Sequence, residues 1–125
     1  YRFENPKRGE VIVFKYPEDL SQRFIKRIIG LPGETVEIKN GKVAVYKEGK
    51  IQILNESNYL NPSLFTQGDV RVSLGKDEYF VMGDNRPFSY DSRRFGVVPR
   101  RDIIGRVALR ALPFTSFTKF KAPAY

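Results

Sequence analysis

"TVEIKNGKVAVY", residues 35–46, decides the fold class. Apolar and polar residues alternate on both sides of Asn40-Gly41, a dipeptide that closes a two-residue β-hairpin because both positions accept positive φ. Working outward, "EVIVFKY" (10–16) is a β-branched and aromatic strand that stops at Pro17, and "RFIKRII" (23–29) is the next, closed by the turn "GLPGE". Downstream, "KEGK" (47–50) turns the chain into "IQIL" (51–54). Residues 55–75 become polar and read as a loop or small insertion with weak local order. "EYFVMGD" (78–84) returns as a buried strand, and "NRPFSYDSRRFG" (85–96) reads as irregular. "VPRRDIIG" (98–105) has room for a short helical turn, and "RVALRALPF" (106–114) alternates again as a last strand. The expectation is one all-β domain over residues 1–125, built of antiparallel sheets or a half-closed barrel. Coil-rich loops and at most one or two short helical turns complete it.

Composition narrows the chemistry. The 125 residues contain no cysteine and no histidine. Disulfides, thiolate metal sites, a cysteine nucleophile and the commonest general base are therefore all excluded. A hydrolase of this composition must draw its base from Lys, Asp, Glu or Tyr. The formal net charge of +8 suits contact with an anionic surface, nucleic acid or acidic lipid, and equally a solubilising surface. No apolar run approaches the roughly 20 residues that span a bilayer. The opening "YRFENPKRGE" has no initiator Met and begins in mid-pattern, which reads as a cropped chain. No metal-ligand spacing, Gly-x-Ser-x-Gly elbow or phosphate loop occurs, so neither metal nor cofactor is expected.

The strand at 23–29 carries two adjacent charges. Lys26 shares one face with Phe24 and Ile28, and Arg27 shares the other with Ile25 and Ile29. A lysine on an apolar face ordinarily snorkels its ammonium to water. The same burial, however, disfavours the charged form and can leave a lysine neutral near pH 7, able to take a proton from a serine hydroxyl. The stretch "MGDNRPFSYDSRRFG" (82–96) sets Asp84, Arg86, Ser89, Asp91, Ser92, Arg93 and Arg94 in a loop after a buried strand. Asp84 and Asp91 suit ion pairs with nearby arginines, and Ser89 suits a hydrogen bond to a neutral amine. By composition alone a surface turn rich in solvated charge is the favoured reading of the loop, although loops on a rigid scaffold are also where catalytic groups concentrate.

"RGEVIVFKYPED", "FIKRIIGLPGETVE" and "MGDNRPFSYDSRRFGVVP" together resemble three conserved boxes of the bacterial type I signal peptidases, in the same order and spacing. The resemblance covers most of residues 8–107, and the tail "RALPFTSF" also resembles that family's ending. It implies a membrane-bound serine endopeptidase, its catalytic domain on the extracytoplasmic side of the cell membrane, that removes signal peptides from exported preproteins. Lys26 then matches the general base and Ser89 the serine that orients it. Asp91 and Arg93 match a pair that holds the loop, Asp84 would meet Arg27 across the strands, and Gly83 would allow close approach to the lysine. Phe24 and Ile25 match residues flanking small pockets for Ala-x-Ala-like sites. The preprotein would bind as an added β-strand, the domain would rest on the lipid surface, and no nucleic acid is expected. One part of the pattern is missing. The family's nucleophile lies in a Ser-Met-x-Pro box upstream of the lysine. None of Ser21, Ser57, Ser63, Ser73, Ser89, Ser92 and Ser116 has that context. The fragment is expected to be inactive alone. The alternative is a non-catalytic relative, or a basic β-domain binding anionic lipid or nucleic acid through Phe114, Phe117, Lys119, Phe120, Lys121 and Tyr125.

Overall fold

The computed structural model describes residues 5–54 and 68–107. The strands are β1 (Val11–Tyr16), β2 (Asp19–Gly30), β3 (Thr35–Lys39), β4 (Lys42–Lys47), β5 (Lys50–Ile53), β6 (Val70–Ser73), β7 (Glu78–Met82), β8 (Val98–Pro99) and β9 (Ile103–Arg106). They form two sheets, one ordered β8-β7-β2-β1-β9 and the other β5-β4-β3-β6. Every pairing is antiparallel. The all-β expectation holds, as do the hairpins. Asn40 (φ 53°) and Gly41 (φ 78°) take the positive angles that a primed two-residue turn requires, and Lys39 faces Lys42 across it.

Four boundaries differ from the sequence reading. β2 starts at Asp19, four residues before the expected Arg23. Its first residues, Asp19–Arg23, are exposed and polar apart from Leu20, so they carry no apolar alternation; backbone pairing to β1 through Tyr16↔Asp19 is what extends it. β6 lies inside the stretch read as loop. Val70 and Val72 face the core while Arg71 reaches Glu37 on the outer face at 3.2 Å. Residues 55–67 of that loop lie outside the described residues. β9 begins at Ile103, three residues before the expected last strand, because Ile103 is buried against β1. The remainder of that strand, 108–114, and the aromatic-basic tail also lie outside the described residues. Finally, the stretch 85–96 is not wholly irregular. It holds a 3-10 turn (Arg86–Phe88) and a four-residue helix α1 (Ser92–Phe95), and a second 3-10 turn spans Arg100–Asp102. That is one helical turn more than expected.

Two apolar clusters sit on opposite faces of the five-stranded sheet. One joins Ile29, Phe80 and Met82 to Val36, Ile38, Val43 and Val45 of the second sheet. The other gathers Ile12, Phe14, Ile28, Tyr79, Val81, Val98 and Ile103. The end of β2 and β7 are thus covered on both sides, which is why Ile28-Ile29 and "YFVM" (79–82) read as continuous apolar runs rather than alternating ones. Burying these side chains contributes on the order of 1.5–3 kcal/mol each. It fixes the two strands that carry the charged cluster described next.

Candidate active site

β2 pairs with β7 only over Arg27–Gly30, with Arg27 opposite Met82. Beyond Met82 the chain leaves the ladder and folds back as the loop 83–91, which brings Ser89 over Lys26. Lys26 Nζ donates to Ser89 Oγ at 3.1 Å. Gly83 lies against this contact. A Cβ placed on it would fall 2.0 Å from Ser89 Oγ and 3.4 Å from Lys26 Nζ, so no larger residue fits without displacing the pair. Here the glycine is required by space.

The loop is tied from within. Asp91 is completely buried and caps α1 by accepting from the Arg93 backbone N–H at 3.1 Å. Its carboxylate also accepts from the Arg93 side chain through Nε (2.9 Å) and Nη2 (2.8 Å), and from the Gly83 N–H at 3.1 Å. Arg93 Nη2 further donates to the Arg86 carbonyl at 2.8 Å, and Arg86 Nε donates to the Gly83 carbonyl at 2.7 Å. Ser92 Oγ accepts from the Val81 N–H at 2.9 Å and so pins the start of α1 to β7. A buried carboxylate is tolerated only when paired and hydrogen-bonded, and Asp91 is both.

On the other face of β2, Arg27 is buried and forks onto Asp84, with Nε–Oδ1 at 2.9 Å and Nη2–Oδ2 at 2.8 Å. Its Nη1 donates to the Gly9 carbonyl at 2.8 Å. The two adjacent charges of the strand are therefore separated: Arg27 ties β2 to the start of the loop, and Lys26 faces Ser89.

Lys26 is half-buried, and that burial holds its ammonium below the ordinary lysine range. The Asp91 carboxylate opposes the shift and the Arg93 guanidinium adds to it. A cavity of about 310 Å³ opens beside it, lined by Val11, Ile25, Lys26, Arg27, Gly83, Asp84, Asn85, Phe88 and Ser89. Ile25 is on this wall. Phe24 is not: it stacks on Tyr16 at 4.7 Å between ring centres and touches Tyr90 and Phe95, with Lys26 Nζ 5.9 Å above its ring. The structure thus brings Lys26, Ser89, Gly83, Asp91 and Arg93 together, places Arg27 with Asp84 behind them, and puts Phe24 and Ile25 in different surroundings. No metal-binding group of acidic residues occurs among the described residues.

Sequence reasoning gave no role to Arg86 or Ser92, although both stand in the loop it singled out. Ser92 was signalled by its place after Asp91, as the first residue of a capped turn. Arg86 had no local signal, because its burial depends on how the loop folds back.

The family described as "Signal peptidase, peptidase S26" matches residues 1–112, and the chain belongs to it. Among curated proteins, the probable signal peptidase I-1 of Synechocystis sp. is 45% identical over 120 residues, covering 90% of this chain and 58% of the relative. The signal peptidase I of Leptolyngbya laminosa is 40% identical over 130 residues, covering 98% of this chain and 61% of the relative. The chain thus spans somewhat over half the length of these relatives. A crystal structure of a signal peptidase I from Enterococcus faecalis aligns with a TM-score of 0.70 at 31% identity, over 84% of this chain and 98% of that one.

Proposed function

We propose that this chain is the lysine-bearing part of a membrane-associated serine endopeptidase that cleaves signal peptides from exported preproteins after small residues. The observation that carries the reading is the 3.1 Å contact between a desolvated Lys26 and Ser89, packed against a glycine that leaves no room for a side chain. Neutral Lys26 takes the proton of a serine hydroxyl supplied by a segment beyond these residues, and the oxygen attacks the scissile carbonyl. Lys26 then returns that proton to the leaving amine. It next activates the water that hydrolyses the acyl-enzyme. Ser89 holds Lys26 in place by accepting its N–H, while Asp91 and Arg93 hold the loop that carries Ser89.

Substrate binding by strand addition is supported by the sheet itself. β2 extends from Asp19, yet it pairs with β7 only from Arg27 onward. Its side before Arg27, next to Ile25 and the cavity, has no ladder partner among the described residues. An extended peptide can dock there through backbone bonds, with small side chains entering the apolar wall. No helix among the described residues is long and apolar enough to cross a membrane. The net charge of +8 supports contact with an anionic lipid surface.

The test is Lys26→Ala in the full-length protein, assayed by cleavage of a preprotein. Cleavage should vanish while circular dichroism stays unchanged. Lys26→Arg should be no better, since a guanidinium stays protonated. Substantial residual cleavage in Lys26→Ala would rule out the base. The isolated chain should cleave nothing, and liposomes containing anionic lipid should sediment it in low salt.

A further inference from the structure

Arg86 is buried, at 1% exposure, in a loop of which neighbouring Asn85 and Phe88 are open to solvent. Placing a guanidinium out of water is costly unless its donors are used. One of them is used on the Gly83 carbonyl, at 2.7 Å. The other polar group of that residue, the Gly83 N–H, is held by Asp91 at 3.1 Å. Gly83 is therefore gripped at both ends by charged side chains, and each charge-assisted bond is stronger than a neutral one. The two grips are joined, because Arg93 binds Asp91 through its side chain and the Arg86 carbonyl through Nη2. The glycine so held is the surface against which Ser89 Oγ and Lys26 Nζ meet.

We propose that Arg86 is a positioning residue of the lysine site: by holding the Gly83 carbonyl while Asp91 holds its N–H, it presses the Gly83 peptide onto Lys26 and Ser89 and keeps water away from the amine. The 3-10 turn supports this arrangement. Arg86 N–H donates to the Asp84 carbonyl at 3.0 Å, and Phe88 N–H to the Asn85 carbonyl at 3.0 Å, so the turn that carries Arg86 leads directly into Ser89. Losing the guanidinium frees one end of the Gly83 peptide. The loop then relaxes outward, water reaches Nζ, and Lys26 titrates nearer the free-lysine range of ~10.4. The charged groups facing Lys26 are Asp91 and Arg93 from the loop, with Arg27 and Asp84 on the same cavity wall. None of these is removed by changing Arg86.

This inference deepens the reading of Lys26 as a base, but its test does not depend on that reading. The Lys26 side chain is titrated in this chain by the ¹³Cε chemical shift, in the native protein and in Arg86→Met, which keeps the apolar stem and removes the donors. The expected result is a Lys26 pKa raised by at least half a unit in Arg86→Met, about a threefold change in proton affinity. Arg86→Lys, which retains one donor, should fall between the two and also serves where Arg86→Met does not fold. An unchanged Lys26 titration in either folded variant would overturn the proposal and leave Arg86 as loop packing only. In the full-length protein, Arg86→Met should lower kcat about tenfold, leave KM within about twofold and move the acid limb of the pH profile upward. Loss of cleavage without any change in the Lys26 titration would count against the positioning role. A Lys26 shift in a full-length protein that never cleaves preproteins would instead count against the proposed function and leave the positioning role standing.

Discussion

Lys26 Nζ and Ser89 Oγ stand 3.1 Å apart across the end of the β2–β7 ladder, 63 residues apart in sequence, and Gly83 lies against the pair. That relationship makes residue 83 the most sensitive position to enlarge. In Gly83→Ala the added methyl overlaps Ser89 Oγ at 2.0 Å, and Ser89 Cβ at 2.8 Å bars the simple escape. Either Ser89 or the peptide must move. Overpacking of this kind costs ~1–3 kcal/mol, read as a lowered urea midpoint. Displacing the base by an ångström should lower cleavage by the full-length protein by about a hundredfold. Near-native activity in Gly83→Ala would show that the amine does not need this geometry.

Ser89→Ala separates two roles that the same geometry permits. An orienting hydroxyl that is lost leaves the base mobile but present, so kcat should fall about ten- to a hundredfold. Residual cleavage should remain above that of Lys26→Ala. If instead Ser89→Ala is as dead as Lys26→Ala, and an acylating inhibitor no longer labels the protein, Ser89 is itself the nucleophile.

The pH dependence follows from burial of the lysine. Because desolvation lowers its pKa in the folded state, the folded protein holds fewer protons than the unfolded chain between the lowered value and the ordinary one. Stability contributed by Lys26 therefore rises as pH increases through that window, and below it the cost of burying the charge is present in full. Lys26→Met should flatten this alkaline rise in urea midpoint and be no less stable than the native chain at pH 7. Catalysis runs in the same direction, since only the neutral amine accepts a proton: kcat/KM should climb through the Lys26 pKa. A stability profile with the same slope in Lys26→Met would remove Lys26 as its source.

How much of this was legible in the residues depends on the range of each signal. The Asn40-Gly41 hairpin, the strand at Lys26 and the covered runs of β2 and β7 follow from local period and turn chemistry, and the structure has them. β6 was lost because "VRVS" is short and adjoins a polar stretch; its valines are buried only once β3 is beside them. The separate directions of Lys26 and Arg27 follow from strand period alone. Their partners in the loop do not, because a return of 57 to 63 residues has no local signature. Arg86 shows the limit most plainly. In sequence it is one more charge in an arginine-rich loop, and only the folded loop buries it on Gly83.

The Arg27–Asp84 pair gives a prediction about stability that is independent of catalysis. Arg27 is 1% exposed, and its side chain makes two parallel bonds to Asp84 and one to the Gly9 carbonyl. In Asp84→Ala the guanidinium stays buried with its countercharge gone. Breaking a buried pair from one side costs ~3–5 kcal/mol, and the partial exposure of Asp84 puts the expected loss near the low end, about 3 kcal/mol. Removing both charges should cost less than removing one, because the desolvation of Arg27 then disappears with its partner. Arg27→Met with Asp84→Leu should therefore recover much of the stability lost in Asp84→Ala, measured by urea unfolding of this chain. The same double variant should leave the Lys26–Ser89 contact in place, since the loop that carries Ser89 is tied by Asp91, Arg93 and Arg86 rather than by Arg27. If the double variant is less stable than Asp84→Ala, the pair contributes net stability rather than only relieving a buried charge.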